Sequence, residues 1–128
     1  MKTLPLLLVE DNPTARLVTQ HHLVQRGCQI ITATHAEEAL QLLASQPFSV
    51  ILMDIGLPDG NGLDISQTIR ADNHCPNQKT AIIVVTAHSA DDIPTQTRKM
   101  LNLDEVFTKP LKPPHLDKIM RYIHAPSP

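Results

Sequence analysis

The 128-residue chain predicts one α/β domain: a parallel sheet covered by helices on both faces. Three observations carry that class. Apolar runs of strand length alternate with helix-period segments five times. The runs are apolar throughout rather than every second residue, as in strands buried on both sides. Turn and capping residues punctuate the alternation, and right-handed crossovers then leave few topologies.

The first run, "LPLLLVE" (Leu4 to Glu10), tolerates Pro5 only at its start, where a missing N–H costs nothing. "DNPTARLVTQHHLVQRG" opens a helix with Asn12 as N-cap, Pro13 at the first helical position and Gly27 as left-handed stop. "CQIITA" is the second strand. "THAEEALQLLASQ" follows, with Thr34 and Glu37 spaced as a capping box and an apolar stripe at Ala36, Ala39, Leu40 and Leu43. "SVILMD" is the third strand, running into the Gly/Pro-rich loop "IGLPDGNG". "LDISQTIRA" is a short helix offering Leu63, Ile65 and Ile69 for burial, and "DNHCPNQKT" a polar loop. "AIIVVTA" (Ala81 to Ala87) is the fourth strand. Pro94 then constrains the next helix to begin near Asp92 or Ile93. Asn102 suits its left-handed stop. "EVF" is a brief fifth strand, "TKPLKPP" a turn and "HLDKIMRYIHA" the last helix, giving a core of about residues 4–123 and a terminal stub at 124–128.

Composition removes several function classes. The formal charge of −2 is spread along the chain and aromatics make up only 2 %, which argues against a nucleic-acid binder with its basic face and stacking rings. The longest apolar run is too short to cross a bilayer. Cys28 and Cys75 form no CxxC pair, and with no secretory signal the expectation is two free thiols in a reducing cytoplasm. The seven histidines include no pair at zinc-ligand spacing.

Ligands of such sheets bind outside the carboxyl ends of the strands, at the switch point of strand order. Glu10 and Asp11 follow the first strand, Asp54 ends the third, Thr86 the fourth, and Lys109 follows the fifth. In a flavodoxin-like order, 2-1-3-4-5, the first and third strands are neighbours and three carboxylates converge. Their repulsion calls for a cation, and a hard oxygen-seeking ion, Mg2+, suits few carboxylates plus water and phosphate oxygens. With an ammonium and a hydroxyl added, the set has the parts of a phosphoryl-transfer site. Each part alone has a plainer structural reading, such as a helix-start charge, a turn cap or a Lys-Pro turn. Their appearance in order at successive strand ends does not.

From Leu4 to Ile123 the chain closely resembles the receiver (response-regulator) domains of bacterial two-component systems, on "VEDN", "MDIGLPDGNG", "VVTAH" and "FTKPL". "MDIGLPDGNGLD" with "DEVFTKPL" looks most similar to receivers of hybrid sensor kinases. The resemblance implies a phosphorelay module with Asp54 as phosphoacceptor from a phosphohistidine on a histidine kinase or phosphotransfer protein. It implies Mg2+ held by Asp11 and Asp54, by Glu10 through water, and by the backbone carbonyl of Gly56. Lys109 would pair with one phosphoryl oxygen and Thr86 with another, with Pro58 and Gly62 shaping the loop beyond. Such a domain catalyses its own phosphorylation and slow dephosphorylation without being a conventional turnover enzyme. A target would bind the face of the fourth and fifth helices and fifth strand, with no direct contact to nucleic acid or membrane.

Two features depart from the pattern. Many receivers carry an aromatic ring three residues before the lysine, where this chain has Val106; Phe107, one place later, belongs on the opposite face of its strand and reads as core. His88, two residues past Thr86, is a candidate for orienting hydrolytic water, against the plainer reading of an exposed side chain; Ala87 and Val106 join it as candidate modulators. Two other functions stay open: a module of the same fold acting without phosphorylation, and a small aspartate-dependent hydrolase. The second would want another acid two residues after the nucleophile, where Gly56 stands. A flavin-binding protein is disfavoured because no Ser/Thr/Gly-rich phosphate loop follows the first strand.

Overall fold

A computed structural model describes residues 4–87 and 93–124. The elements run β1 (Leu6–Val9), α1 (Pro13–Gln25), β2 (Ile30–Ala33), α2 (Ala36–Ser45), β3 (Val50–Asp54), β4 (Gly56–Leu57), β5 (Gly60–Asn61), α3 (Gly62–Ala71), β6 (Ala81–Thr86), α4 (Thr95–Met100), β7 (Glu105–Thr108) and α5 (Pro113–His124). The main sheet is five-stranded, in the order β2-β1-β3-β6-β7, and every pairing is parallel. The loop after β3 folds into a small antiparallel ribbon, β4 with β5. The anticipated fourth and fifth strands are therefore β6 and β7, and the anticipated order 2-1-3-4-5 holds.

Alternation along the strands divides the core between two layers. Leu7, Val9, Ile51, Met53, Ile82 and Val84 pack with Ala39 and Leu43 of α2 and Ile65 and Ile69 of α3. Leu6, Leu8, Val50, Leu52, Ile83 and Val85 pack on the other side with Leu23 of α1 and Leu116 and Ile119 of α5. Because both faces are covered, no strand position could be left polar without a cost, hence the unbroken apolar runs. Phe107 is buried in the second layer while Val106 packs against the first, so the ring is core, as its strand position required. The two cysteines are free thiols.

Helix ends show where local rules decide and where they do not. Asn12 caps α1, its side chain accepting the Ala15 N–H at 3.0 Å, Pro13 opens the helix, and Gly27 takes the left-handed conformation at φ 88°. Asn102, at φ 52°, does the same after α4. The capping box expected from Thr34 and Glu37 is not formed. His35 occupies the cap position but its side chain pairs with the Thr34 hydroxyl and makes no capping bond, and the Asp59 carboxylate takes the Ala36 and Glu37 N–H groups at 2.6 and 3.1 Å. Two oxygens of a formal anion satisfy two orphan donors at the positive end of the helix, which outcompetes one neutral hydroxyl. α4 begins at Thr95 and not at Ile93, because proline disfavours helical geometry in the residue before it; Ile93 is instead buried in the core ahead of the helix, and Asp92 lies outside the described residues. α5 starts at Pro113 and not at His115, both prolines standing in the first turn where their missing N–H groups are not needed.

The polar loop 72–80 is held by a fully buried residue, Asn77. Its amide donates to the carbonyls of Leu43 and Gln46 at 2.7 and 2.8 Å, and its oxygen accepts the Phe48 N–H and the Thr80 hydroxyl at 2.9 and 3.0 Å. Asn77→Ala strands several buried partners at once, so a loss of about 3 kcal/mol is expected in urea denaturation. A loss below about 1 kcal/mol would mean that water replaces the amide.

Candidate functional site

Register brings the ends of β1, β3, β6 and β7 to one edge of the sheet. Val9 lies beside Met53, Asp54 beside Val85 and Thr86 beside Thr108, so Glu10, Asp54, Thr86 and Lys109 emerge together. The Glu10 N–H still bonds the Ala33 carbonyl at 3.0 Å, which keeps the strand regular up to its acid. Beyond it the chain turns into α1, and Arg16 folds back from the helix to donate to the carbonyls of Glu10 and Asp11 at 3.1 and 3.4 Å. Arg16 stands one turn after the N-cap Asn12, above the acidic turn, so helical spacing was a usable signal for this clamp.

Glu10 is only 4 % exposed, and Asp54 has a side chain 12 % exposed. One Asp54 oxygen accepts the Gly56 N–H at 3.3 Å and the other lies 3.2 Å from the Lys109 ammonium, which also bonds Glu10. The Lys109 N–H donates to the Thr86 carbonyl at 2.7 Å, fixing the start of the β7–α5 turn to the end of β6, and the Lys109–Pro110 peptide is cis. Oxygens of Glu10, Asp11 and Asp54 lie within 4.8 Å of one another.

Three carboxylates facing one ammonium leave the cluster short of positive charge. Burial pushes the Glu10 carboxyl up from 4.5 to about 7, and its shared hydrogen bond and charge with Asp54 push the same way against the pull of Lys109. Burial opposes the Lys109 charge as well, but its contacts with Glu10 and Asp54 outweigh that and hold the ammonium above the usual lysine range. An all-oxygen set with excess negative charge, partly open to water, fits a hard divalent cation and not a soft one.

Of the other residues singled out in the sequence, Thr86 is buried at the end of β6, one position beyond the partner of Asp54. Gly56 is exposed at the start of β4, and a Cβ added there would meet nothing within 4 Å. Ala87 lines a cavity of about 350 Å³ that also reaches Asp54, Lys109 and α1. His88 lies outside the described residues. Pro58 stands at the tip of the β4–β5 ribbon beside Asp59, which sequence reasoning missed because its partners lie 23 and 22 residues upstream.

Residues 6–121 match the family model of the response regulator receiver domain. The chain belongs to the response regulator receiver domain family. Among receivers, it is 33 % identical over 105 residues to the response regulator protein PilR of Pseudomonas aeruginosa, covering 82 % of this chain and 22 % of that protein. It is 29 % identical to the probable chemotaxis protein CheY of Rhizobium etli, over 81 % of this chain and 79 % of that one. The chain thus spans from about a fifth to about four fifths of these relatives' lengths. The receiver fold recurs in the structure of the response regulator TrrA of Thermotoga maritima in complex with Mg(2+)-BeF (TM-score 0.79, 27 % identity, 96 % of this chain and 99 % of that one). It recurs also in a CheY-like receiver domain protein of Methanospirillum hungatei (TM-score 0.82, 23 % identity, 95 % and 94 %). Among the described residues, no helix is long and apolar enough to cross a membrane.

Proposed function

We propose that this receiver domain accepts a phosphoryl group on Asp54 from a phosphohistidine of a histidine kinase or phosphotransfer protein in a cytoplasmic phosphorelay. The observation that carries the reading is the Asp54 carboxylate itself, held at the sheet edge between the Gly56 N–H and the Lys109 ammonium, beside Glu10 and Asp11. An Asp54 oxygen attacks phosphorus, the phosphorus–nitrogen bond breaks, the electron pair leaves with the imidazole, and an acyl phosphate remains. Lys109 offsets charge on the phosphoryl oxygens, its ammonium already placed beside the acceptor by its contacts with Glu10 and Asp54. Asp11, Asp54 and the Gly56 carbonyl would hold Mg2+, with Glu10 acting through water; the ion supplies neutralisation of the incoming phosphoryl charge. That TrrA, 27 % identical, is seen in complex with Mg(2+)-BeF supports a Mg2+ site in this chain as well.

In the modified state the added oxygens offer the Thr86 hydroxyl a new acceptor, and the neighbouring loop and helix repack to reach it. The face of α4, β7 and α5 then reports the change to a target, with Val106 where many receivers use an aromatic ring, and Ala87 and His88 tuning how long the phosphoryl persists. Incubation with Mg2+ and acetyl phosphate is expected to add the mass of one phosphoryl group to the intact protein. Asp54→Asn or EDTA should abolish the gain. An unmodified wild type would instead favour a receiver-fold module that works without phosphorylation.

A further inference from the structure

The loop that follows the phosphoacceptor is braced at a point remote from the acids. After Asp54 the chain forms β4, turns at Pro58 and Asp59, and returns as β5, with Gly56 opposite Asn61 and Leu57 opposite Gly60. The base of this ribbon is tied by the Gly56 N–H to the Asp54 carboxylate and by the Gly62 N–H to the Ile55 carbonyl at 2.9 Å. Asn61 caps α3, accepting the Leu63 N–H at 2.7 Å. The tip is tied by Asp59 to the first two N–H groups of α2, and it sits so close that a Cβ on Gly60 would come within 2.9 Å of the Ala36 Cβ. α2 has no side-chain cap of its own, so the bond serves both elements.

We infer that Asp59 is a positioning residue for the metal step: a strut from the N-terminus of α2 that sets the ribbon carrying Gly56, and through it the Asp54 carboxylate. The inference rests on the proposed Mg2+-dependent phosphoacceptor function and extends it to a residue placed outside the metal and phosphoryl contacts. A two-residue ribbon has few bonds to hold its own shape and is rigid only when its tip is docked. Without the strut, the Gly56 N–H and carbonyl sample a wider range of positions, and the protein pays for ordering them when the ion binds. The backbone bonds from Ala36 and Glu37 hold the Asp59 carboxyl below the usual carboxylate range, so the strut is ionised at neutral pH.

The test separates positioning from fold stability. Asp59→Ala is expected to weaken Mg2+ binding about 10-fold by isothermal titration calorimetry, the scale seen when a residue supporting a metal ligand is removed. It should also lower the melting temperature measured in EDTA, since α2 loses its cap. Asp59→Asn keeps an oxygen for Ala36 and should fall between the two. In Asp59→Ala/His35→Ser, a serine at the extended cap position, φ −153° and ψ 169°, gives α2 its own cap. That double variant is expected to recover the melting temperature and not the Mg2+ affinity. Wild-type affinity in Asp59→Ala, or affinity that returns together with stability in the double variant, overturns the strut and leaves the proposed Mg2+-dependent phosphoacceptor function standing. A wild-type protein that binds no Mg2+ overturns both.

Discussion

Gly62→Ala is expected to cost about 3 kcal/mol or more and to lower the melting temperature by roughly 10 °C, although it adds a single methyl group. The reason is its neighbour. A Cβ at Gly62 would lie 2.3 Å from the backbone carbonyl oxygen of Asp54 and 2.7 Å from Met53 Cγ. Side chains at a crowded position can turn away, but a carbonyl at the end of a central strand moves only if the strand does. β3 is paired on both sides, with β1 and β6, so the displacement is resisted along its length. The same loop contains its own controls. Gly60→Ala meets the Ala36 Cβ at 2.9 Å, a side-chain contact at a ribbon tip, and should cost less; Gly56→Ala meets nothing within 4 Å and should leave stability unchanged. Thermal melts of the three variants are expected in that order. Equal melting temperatures for the first and last would show that the packing of α3 over Asp54 is looser than the structure has it. Because the strained atom belongs to Asp54, the proposed phosphoacceptor, Gly62→Ala should also depress phosphorylation in the fraction that stays folded.

The parts of this site that the sequence made legible are those whose physics is local or periodic. Unbroken apolar runs report burial on both faces, and they located the strands from which Glu10, Asp54, Thr86 and Lys109 emerge. Gly27 and Asn102 report left-handed stops because few residues accept positive φ, and both take it. What stayed hidden depends on partners distant along the chain. Thr34 and Glu37 have the spacing of a capping box, yet a carboxylate 23 residues away reaches the same donors with two oxygens. Asn77 looks like any loop amide until the carbonyls of Leu43 and Gln46 are found around it. The β4–β5 ribbon could not be read from "IGLPDGNG", since two-residue strands have no periodicity to detect. The prolines of "LKPP" looked like a turn because their cost inside a helix is large, although in the first turn it vanishes.

Lys109→Met is expected to reduce phosphorylation by acetyl phosphate about 100-fold while leaving Mg2+ bound as well as in the wild type, or better, at pH 8.5. The two effects part because the ammonium has opposite relations to the two ligands. On the proposed reading it attracts the phosphoryl oxygens, while its contacts with Glu10 and Asp54 set it in competition with a divalent cation for their carboxylates. A lysine that served only to shape the site would move both together. Proton linkage gives a second reading of the same variant. In the wild type Glu10 releases its proton near pH 7, so Mg2+ affinity should rise about tenfold between pH 6 and pH 8. The sign for stability is the reverse. A carboxyl raised above its unfolded value keeps its proton in the native state while the unfolded chain has lost its own. The metal-free fold is therefore stabilised by that proton below about pH 4.5 and loses the contribution as pH climbs to about 7, whereas saturating Mg2+ should flatten the decline. Removing Lys109 deletes the groups that hold Glu10 down, through its hydrogen bond and its charge, and leaves burial and Asp54 to raise it further. The rise in Mg2+ affinity should then shift to higher pH in Lys109→Met, measurable by calorimetric titrations at several pH values. An unshifted profile would mean that Glu10 titrates independently of the ammonium it touches.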